Sequence, residues 1–194
     1  MCTVKLDDVL NDHSLRKSVV SDMRAGKVFV YPTDTIYGIG CNAENAQSVS
    51  RVREAKGRDS GNPFSVIAPS KEWIKKHTGV SDVNMKLISS MLPGPYTMIV
   101  PSVHSTPNPV VSGEKTIGIR MPRHPFSDLV SEAGVPFVTT SVNASGEMPI
   151  TDVTCIPEEM KPFIDWIIDA GKISGSASRI FDMRSNDIKV VKRR

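Results

Sequence analysis

The sequence has few cysteines and no long apolar runs, and each shortage excludes a class of protein. Its three cysteines, Cys2, Cys41 and Cys155, are too few and too scattered for a disulfide framework or a zinc knuckle. No apolar stretch approaches the ~20 residues that a membrane span needs. The N-terminus mixes both charges and lacks an apolar signal core. We therefore expect a cytoplasmic protein with reduced thiols and no membrane partner.

Excess positive charge is also modest, which limits the kinds of partner. The 194 residues include 24 Lys and Arg against 21 Asp and Glu, a formal net charge of +3. That balance suits a local anionic ligand such as a nucleotide. The same balance argues against a protein that binds DNA or other long nucleic acid through many phosphate contacts.

Several familiar catalytic motifs are missing. The chain has no Gly-Lys-Ser/Thr phosphate loop, no complete dinucleotide fingerprint and no Gly-x-Ser-x-Gly elbow. The four histidines lack metal-ligand spacing, so we expect no metal held by the protein alone.

Strands and helices alternate along the chain, which predicts an α/β fold in one domain over residues 1–194. Helices are predicted over 7–25, 45–55, 70–77, 82–91, 124–133 and 157–170, and strands over 28–31, 63–68, 96–100, 116–121, 135–142, 180–182 and 188–191. Short gaps between some strands favour a mixed sheet. Residues 101–115 contain three prolines and no apolar period, which predicts a mobile cover over a site.

The stretch 27–43, KVFVYPTDTIYGIGCNA, contains the first candidate site. Its β-branched and aromatic start predicts a strand, which Pro32 ends. Hydroxyls, one carboxylate and two glycines follow, at Thr33, Asp34, Thr35, Tyr37, Gly38 and Gly40. Open α/β sheets place ligands beyond the carboxyl ends of their strands, so this pattern predicts a binding site. An ordinary polar turn is the alternative.

Two cations two residues apart, Lys56 and Arg58, form the strongest electrostatic feature. Gly57 between them lets the backbone turn, so that both side chains can reach one anion. The planar guanidinium matches a phosphate, and the ammonium adds a point charge. The alternative is a helix C-terminus neutralised by cations.

Further polar residues end or interrupt two other predicted strands. The segment 139–146, TTSVNASG, offers hydroxyl and amide groups suited to a phosphate or ribose, with a polar turn as the alternative. Arg120 follows apolar Ile119 in a strand. A half-buried guanidinium needs an anionic partner, which is either a structural Asp or a ligand carboxylate.

Taken in order, these motifs resemble those of the YrdC-like threonylcarbamoyl-AMP synthases. The segments that carry the resemblance are PTDTIYGIGC, Lys56-Gly57-Arg58, Asn62-Pro63, LPGPYT, TIGIRMPRHP and TTSVNASGE, within about residues 15–192. The family implies a twisted mixed parallel and antiparallel sheet flanked by helices, with a concave basic face. Its members condense L-threonine, bicarbonate and ATP to threonylcarbamoyl-AMP and pyrophosphate. This is the first step towards threonylcarbamoyladenosine next to the tRNA anticodon.

The resemblance also implies roles for individual residues. The expected catalytic set around the phosphates is Lys56, Arg58, Ser141 and Asn143, with Asn62, Thr116 and Lys192 as further ATP contacts. The expected threonine pocket is Thr35, Arg120, Thr139 and Ser178, with Arg120 facing the carboxylate. Mg²⁺ is expected to arrive on the ATP phosphates. Two positions depart from the family pattern: Ile67 stands where relatives often have His, and Arg179 replaces a second hydroxyl.

The resemblance adds tRNA or a downstream transfer complex to the expected partners. A rival hypothesis is an RNA-binding module without catalysis, which predicts steeply salt-dependent tRNA binding that ATP and threonine leave unchanged. A relative that uses carbamoyl phosphate in hydrogenase maturation is a third possibility, although that family embeds the domain in a much longer chain.

Overall fold

The computed structural model describes residues 1–57, 63–107, 110, 114–143 and 147–191. Its strands are β1 (Cys2–Lys5), β2 (Phe29–Tyr31), β3 (Gly38–Gly40), β4 (Ser65–Ile67), β5 (Tyr96–Pro101), β6 (Thr116–Arg120), β7 (Phe137–Ser141), β8 (Trp166–Asp169), β9 (Arg179–Asp182) and β10 (Lys189–Val191). Its α-helices are α1 (Leu6–Asn11), α2 (His13–Ala25), α3 (Ala46–Ala55), α4 (Lys71–His77), α5 (Asp82–Met91) and α6 (Phe126–Ala133).

Within the described residues, these strands form one sheet in the order β1-β8-β2-β3-β7-β4-β6-β5-β9-β10. The pairs β1–β8, β2–β8, β4–β6 and β5–β9 are parallel, and the remaining neighbours are antiparallel. The predicted mixed sheet of an α/β fold is therefore confirmed. The concave basic face and the assignment of the whole chain to one domain stay predictions.

Each face of the sheet has its own core because successive side chains of a strand point to opposite faces. Val30, Val66 and Val138 belong to the larger core, which α3, α4 and α5 cover. Tyr31 and Phe137, their chain neighbours, belong to a smaller core under α1, α2 and α6. The helices α1, α2 and α6 cover only part of this face of the sheet. The candidate site lies on the uncovered part.

The predicted helix over 157–170 is wrong. The structure has a short 3₁₀ segment, Glu158–Phe163, and then β8. Pro162 cannot donate the backbone hydrogen bond that an α-helix needs, and its ring disfavours helical geometry before it. The apolar run in β8 is that of a strand buried between β1 and β2, which short apolar runs do not distinguish from a helix.

The N-terminal half also differs from the prediction in three places. The helix expected over 7–25 is two helices, because the Asp12 carboxylate accepts the N–H groups of Ser14 and Leu15 and starts α2 afresh. Gly26 ends α2 in a left-handed conformation, as its position predicts. Neither β1 nor β3 was predicted, because residues 33–40 were interpreted as the polar end of the β2 segment, where a binding site was expected.

Some predictions concern residues outside the described ranges. These are Arg58, Asn62, Lys192, positions 144–146 of the polar cluster, and positions 108–109 and 111–113 of the expected cover. In the described part of the chain, no helix is long and apolar enough to cross a membrane.

Candidate functional site

A polar cavity of about 240 Å³ lies on the sheet face that carries the smaller core. Its lining includes Tyr37, Ser65, Thr97, Arg120, Thr139, Ser141 and Ser178. On this face, the strand residues beneath the helices are apolar. Those that line the cavity include hydroxyl-bearing residues and Arg120. In β7, Phe137 packs in the core, and Thr139, two residues further on the same face, lines the cavity.

Glycines allow backbone and side chains to approach closely around this cavity. A Cβ added at Gly118 would lie 2.3 Å from the Ser65 Oγ, and one at Gly40 would lie 1.7 Å from the Val138 carbonyl oxygen. The clash at Gly40 is with backbone, so only glycine fits there, and at Gly118 a larger residue would displace the Ser65 hydroxyl. These glycines let β6 pack beside Ser65 and let β3 pack beside β7.

The loop after β2 is held rigid by its own hydroxyls. The Thr33 Oγ1 accepts the N–H groups of Thr35 and Ile36 and donates to the Ile36 carbonyl at 2.7 Å. It also lies 2.9 Å from the Thr35 Oγ1. A Cβ at Gly175 would lie 1.9 Å from the Thr35 carbonyl oxygen, so a second segment packs tightly on the loop. Thr35 is thus fixed from both sides.

Arg120 lies where β6 reaches the cavity, and the loop after β2 supplies two of its partners. Its Nη2 donates to the Thr35 Oγ1 at 3.1 Å and to the Asp34 Oδ1 at 3.3 Å. The arginine is 8% exposed, so its charge is largely removed from water and requires compensation. The structural-Asp alternative is therefore realised at Asp34, and contact with a ligand carboxylate stays a prediction.

The hydroxyls of two residues in the cavity lining, Thr97 and Ser178, contact each other. The Thr97 Oγ1 and the Ser178 Oγ are 2.8 Å apart, and both residues are buried. Thr97 lies in β5 and Ser178 directly before β9, so the parallel pairing of these strands brings them together.

Lys56, the residue that caps the end of α3, is buried beside the turn after β7. Its Nζ donates to the Ser141 carbonyl at 2.8 Å and to the carbonyl and side-chain oxygens of Asn143 at 2.5 and 2.9 Å. The Asn143 Nδ2 in turn donates to the Glu147 carbonyl at 2.8 Å. The ammonium therefore organises the turn that carries the second polar cluster.

Two tyrosines, Tyr37 in the cavity lining and Tyr31 in the smaller core, donate hydrogen bonds to backbone carbonyls. The Tyr31 hydroxyl donates to the Val138 carbonyl at 2.9 Å, and the Tyr37 hydroxyl donates to the Gly171 carbonyl at 2.7 Å. Burial raises the pKa of Tyr31 and of Tyr37 above the ordinary value of a phenol. Both phenols therefore stay protonated near neutral pH and fix the neighbouring backbone.

The structure brings together most of the predicted site residues that it describes. Arg120, Thr139, Ser141 and Ser178 line the cavity. Thr35 touches Arg120, and Lys56 links Ser141 to Asn143. Thr116 begins β6, on the same face as Arg120 but four residues away, and it does not line the cavity.

The two departures from the family pattern lie outside the cavity. Ile67 is fully buried in the smaller core beside Phe137. Arg179 is exposed at the start of β9, where its backbone N–H donates to the Pro95 carbonyl. Neither side chain lines the cavity in the described structure.

Two cavity residues, Thr97 and Ser65, were not predicted from the sequence. Asp34 was predicted as part of the first candidate site, but its pairing with Arg120 was not. The alternation of Thr97 with buried Met98 would have placed Thr97 on a face opposite the larger core. No sequence signal pairs Asp34 with a residue 86 positions away.

Convergent hydroxyls and an arginine line a cavity on the mixed sheet of this α/β protein, an arrangement suited to a small polar ligand. The chain belongs to the Sua5/YciO/YrdC family. The model of that family, described as "Telomere recombination", matches residues 21–194.

Two curated relatives carry the name of the activity that the resemblance implies. A putative threonylcarbamoyl-AMP synthase of Methanocaldococcus jannaschii is 36% identical over 158 residues, which cover 81% of this chain and 72% of the relative. The threonylcarbamoyl-AMP synthase of Bacillus subtilis is 35% identical over 152 residues, which cover 77% and 44%. The chain thus spans less than half the length of the second relative.

Solved structures show the same fold. The crystal structure of Pyrococcus abyssi Sua5 complexed with L-threonine matches with a TM-score of 0.83 and 28% identity, over 92% of this chain and 54% of that one. Escherichia coli YciO matches with a TM-score of 0.83 and 27% identity, over 93% and 89%. Each likeness extends over most of the chain.

Proposed function

We propose that the protein is a threonylcarbamoyl-AMP synthase. It would condense L-threonine, bicarbonate and ATP to threonylcarbamoyl-AMP and pyrophosphate, as the first step of tRNA threonylcarbamoyladenosine synthesis. One observation carries the proposal: Arg120 and the hydroxyls of Thr139 and Ser178 converge in a cavity that Ser141 also lines. The relatives named as such synthases and the threonine complex of Sua5 support it.

The amino acid is proposed to lie against Arg120. A guanidinium presents five N–H donors in a planar fork that matches a carboxylate. The hydroxyls of Thr35, Thr139 and Ser178 are the proposed partners of the amino and hydroxyl groups of threonine. Each of these hydroxyls both accepts and donates, so it can serve either group.

ATP is proposed to lie towards the end of β7. Ser141 and Asn143 would contact its phosphates, and Lys56 would add positive charge while it holds their turn in place. Arg58, Asn62, Thr116 and Lys192 are proposed as further ATP contacts on the basis of their sequence positions alone. Among the described residues, no group of three or more His, Cys, Asp or Glu side chains could hold a metal ion. We propose that Mg²⁺ enters with the ATP phosphates, as the family resemblance implies.

The proposed chemistry needs no protein nucleophile. The free amine of threonine adds to the carbon of bicarbonate, and loss of water gives an N-carboxylate. An oxygen of that carboxylate attacks the α-phosphorus of ATP, and pyrophosphate leaves. Such a reaction is accelerated mainly by alignment of the reactants and by neutralisation of the phosphate charges. The segment 101–115 is proposed to exclude water from the adenylate.

Arg120→Ala, with Arg123→Ala as a matched control, tests the proposal. The Arg123 side chain donates to the Pro93 carbonyl and does not line the cavity. A charged hydrogen bond contributes about 1.5–3 kcal/mol, so Arg120→Ala is expected to raise the KM for threonine by about 10- to 150-fold. Arg123→Ala should change it by less than about twofold. The assay is threonine- and bicarbonate-dependent release of pyrophosphate, and an unchanged KM in Arg120→Ala contradicts the proposed pocket.

A further inference from the structure

The geometry points to Asp34 as the residue that positions Arg120 for the carboxylate of the amino acid. This inference rests on the proposed function and deepens it, because it assigns a role to a side chain that does not line the cavity. Asp34 is a positioning residue here, since it acts on the ligand only through the guanidinium.

The Asp34 carboxylate is held at both of its oxygens. Its Oδ1 accepts a hydrogen bond from the Nη2 of Arg120 at 3.3 Å, and its Oδ2 accepts one from the backbone N–H of Arg123 at 2.8 Å. The side chains of Asp34 and Arg120 are 12% and 9% exposed. The carboxylate cannot swing away from Arg120 without losing the bond to the Arg123 backbone, so the pair has one strongly favoured geometry.

The same nitrogen of Arg120 lies between two acceptors from one rigid loop. Besides Asp34, it contacts the Thr35 Oγ1 at 3.1 Å. The Thr33 hydroxyl fixes the turn, and Gly175 packs against the Thr35 carbonyl. The loop is therefore a fixed reference against which the guanidinium is oriented.

Charge balance gives Asp34 a second effect on the cavity. A buried guanidinium without a counter-charge is costly, and Asp34 supplies that charge before any ligand binds. A guanidinium has five N–H donors, so Arg120 can contact Asp34 and a ligand carboxylate with different N–H groups. Without Asp34, the arginine would have other orientations available, and ligand binding would have to select among them.

Asp34→Asn is the most direct variant, because it removes the charge, keeps the size and retains an acceptor for the Arg123 N–H. Binding of L-threonine and of L-threoninol, in which a hydroxymethyl group replaces the carboxylate, is measured by calorimetry on the full chain. We expect the Kd for L-threonine to rise by about tenfold or more and the Kd for L-threoninol to change by less than about twofold. In the synthase assay, the KM for threonine should rise and the KM for ATP should stay within about twofold.

A double-mutant cycle with Arg120→Ala separates positioning from a general structural effect. If Asp34 acts through Arg120, adding Asp34→Asn to Arg120→Ala changes the Kd for L-threonine by less than about twofold. If the two effects multiply, Asp34 acts independently and the inference is overturned. Equal weakening of L-threonine and L-threoninol by Asp34→Asn overturns it as well.

If Asp34→Asn does not fold, a crystal structure of the unaltered protein with bound L-threonine tests the same inference. Asp34 should stay within hydrogen-bond distance of Arg120 while Arg120 contacts the ligand carboxylate, and separation of the two residues refutes the inference. Failure of the proposed function looks different: the unaltered protein then forms no adenylate from threonine, whatever Asp34 does.

Discussion

At the scale of single residues, Lys56 has a structural role that its sequence position did not predict. The sequence predicts that Lys56 lies with Ser141 and Asn143 around the phosphates of ATP. The structure shows its ammonium bonded to oxygens of both residues, and the contact with ATP stays a prediction. Yet its ammonium already contacts three protein oxygens, and the residue is only 4% exposed. Lys56 therefore shapes the turn after β7 in addition to any effect of its charge on ATP.

Lys56→Met should lower the free energy of unfolding by about 2–4 kcal/mol, because the oxygens of a buried turn lose a charged donor. Urea denaturation followed by circular dichroism measures the change. Lys76→Met, at an exposed position of α4, is the matched control and should stay within about 0.5 kcal/mol. Equal stability of the two variants would show that the Lys56 contacts contribute nothing to the turn.

Thr97→Val tests the hydroxyl pair that sequence reasoning missed. The substitution keeps the volume and removes the group that lies 2.8 Å from the Ser178 Oγ. We expect the KM for threonine to rise by about 2- to 12-fold, which corresponds to a loss of about 0.5–1.5 kcal/mol. Thr78→Val, which removes a buried hydroxyl bonded to the Ile74 carbonyl elsewhere, should leave this KM unchanged. A similar KM in both variants contradicts a role for Thr97 in the pocket.

At the scale of secondary-structure elements, the spacing of apolar residues predicted those helices whose positions depend on local sequence. The spacing of apolar residues located α3, α4 and α5, and Gly26 marked the end of α2. The error over 157–170 arose because Ile164, Ile167 and Ile168 fit a helix as well as a buried strand, and the pairing of β8 with β1 and β2 decides between them. Long-range pairing of this kind has no local signature.

Gly40→Ala tests the close packing of β3 on β7. The new Cβ would lie 1.7 Å from the Val138 carbonyl oxygen, and a strand backbone cannot give way cheaply. We expect a loss of about 3 kcal/mol or more in the free energy of unfolding, measured by chemical denaturation. Gly38→Ala should cost less, because the nearest atom to its new Cβ, a ring carbon of Tyr31, lies at 2.9 Å, which is a much milder clash. The reverse order would contradict the described strand packing.

Asp165 links two segments, because its carboxylate accepts hydrogen bonds from Arg51 in α3 and from the Val28 N–H before β2. The contribution of this link to stability depends on pH. Burial raises its pKa, but Arg51 and the N–H of Val28 lower it by more, so the pKa lies below its ordinary value. A carboxylate with a depressed folded-state pKa stabilises the fold above its unfolded pKa of about 3.9, and this contribution disappears as the pH falls through the folded value.

Asp165→Asn should therefore be less stable than the unaltered protein by about 1–3 kcal/mol at pH 7, and the difference should narrow as the pH falls below about 4. Urea denaturation at pH 7, 5 and 3 measures it. Glu159→Gln, at an exposed carboxylate, should show no such gap. A gap in Asp165→Asn that stays constant with pH would contradict the charged link.

At the scale of the whole molecule, the sequence suggested which residues could form the site, but not how the fold brings them together. Thr35, Arg120, Thr139 and Ser178 were predicted as one pocket from a family resemblance. The structure shows Arg120, Thr139 and Ser178 in one cavity, although they come from segments far apart in the chain. The pairing of β4 with β6 and β7, and of β5 with β9, creates this proximity, and sequence spacing alone does not specify it.

The most direct test of the proposed function is mass-spectrometric detection of the product. The purified protein is incubated with ATP, Mg²⁺, bicarbonate and each of a panel of amino acids that includes serine, valine and alanine beside L-threonine. We predict threonylcarbamoyl-AMP in the threonine reaction, lost when bicarbonate or ATP is omitted and strongly reduced in Arg120→Ala. No adenylate from threonine, with a folded protein and all substrates present, would contradict the proposal.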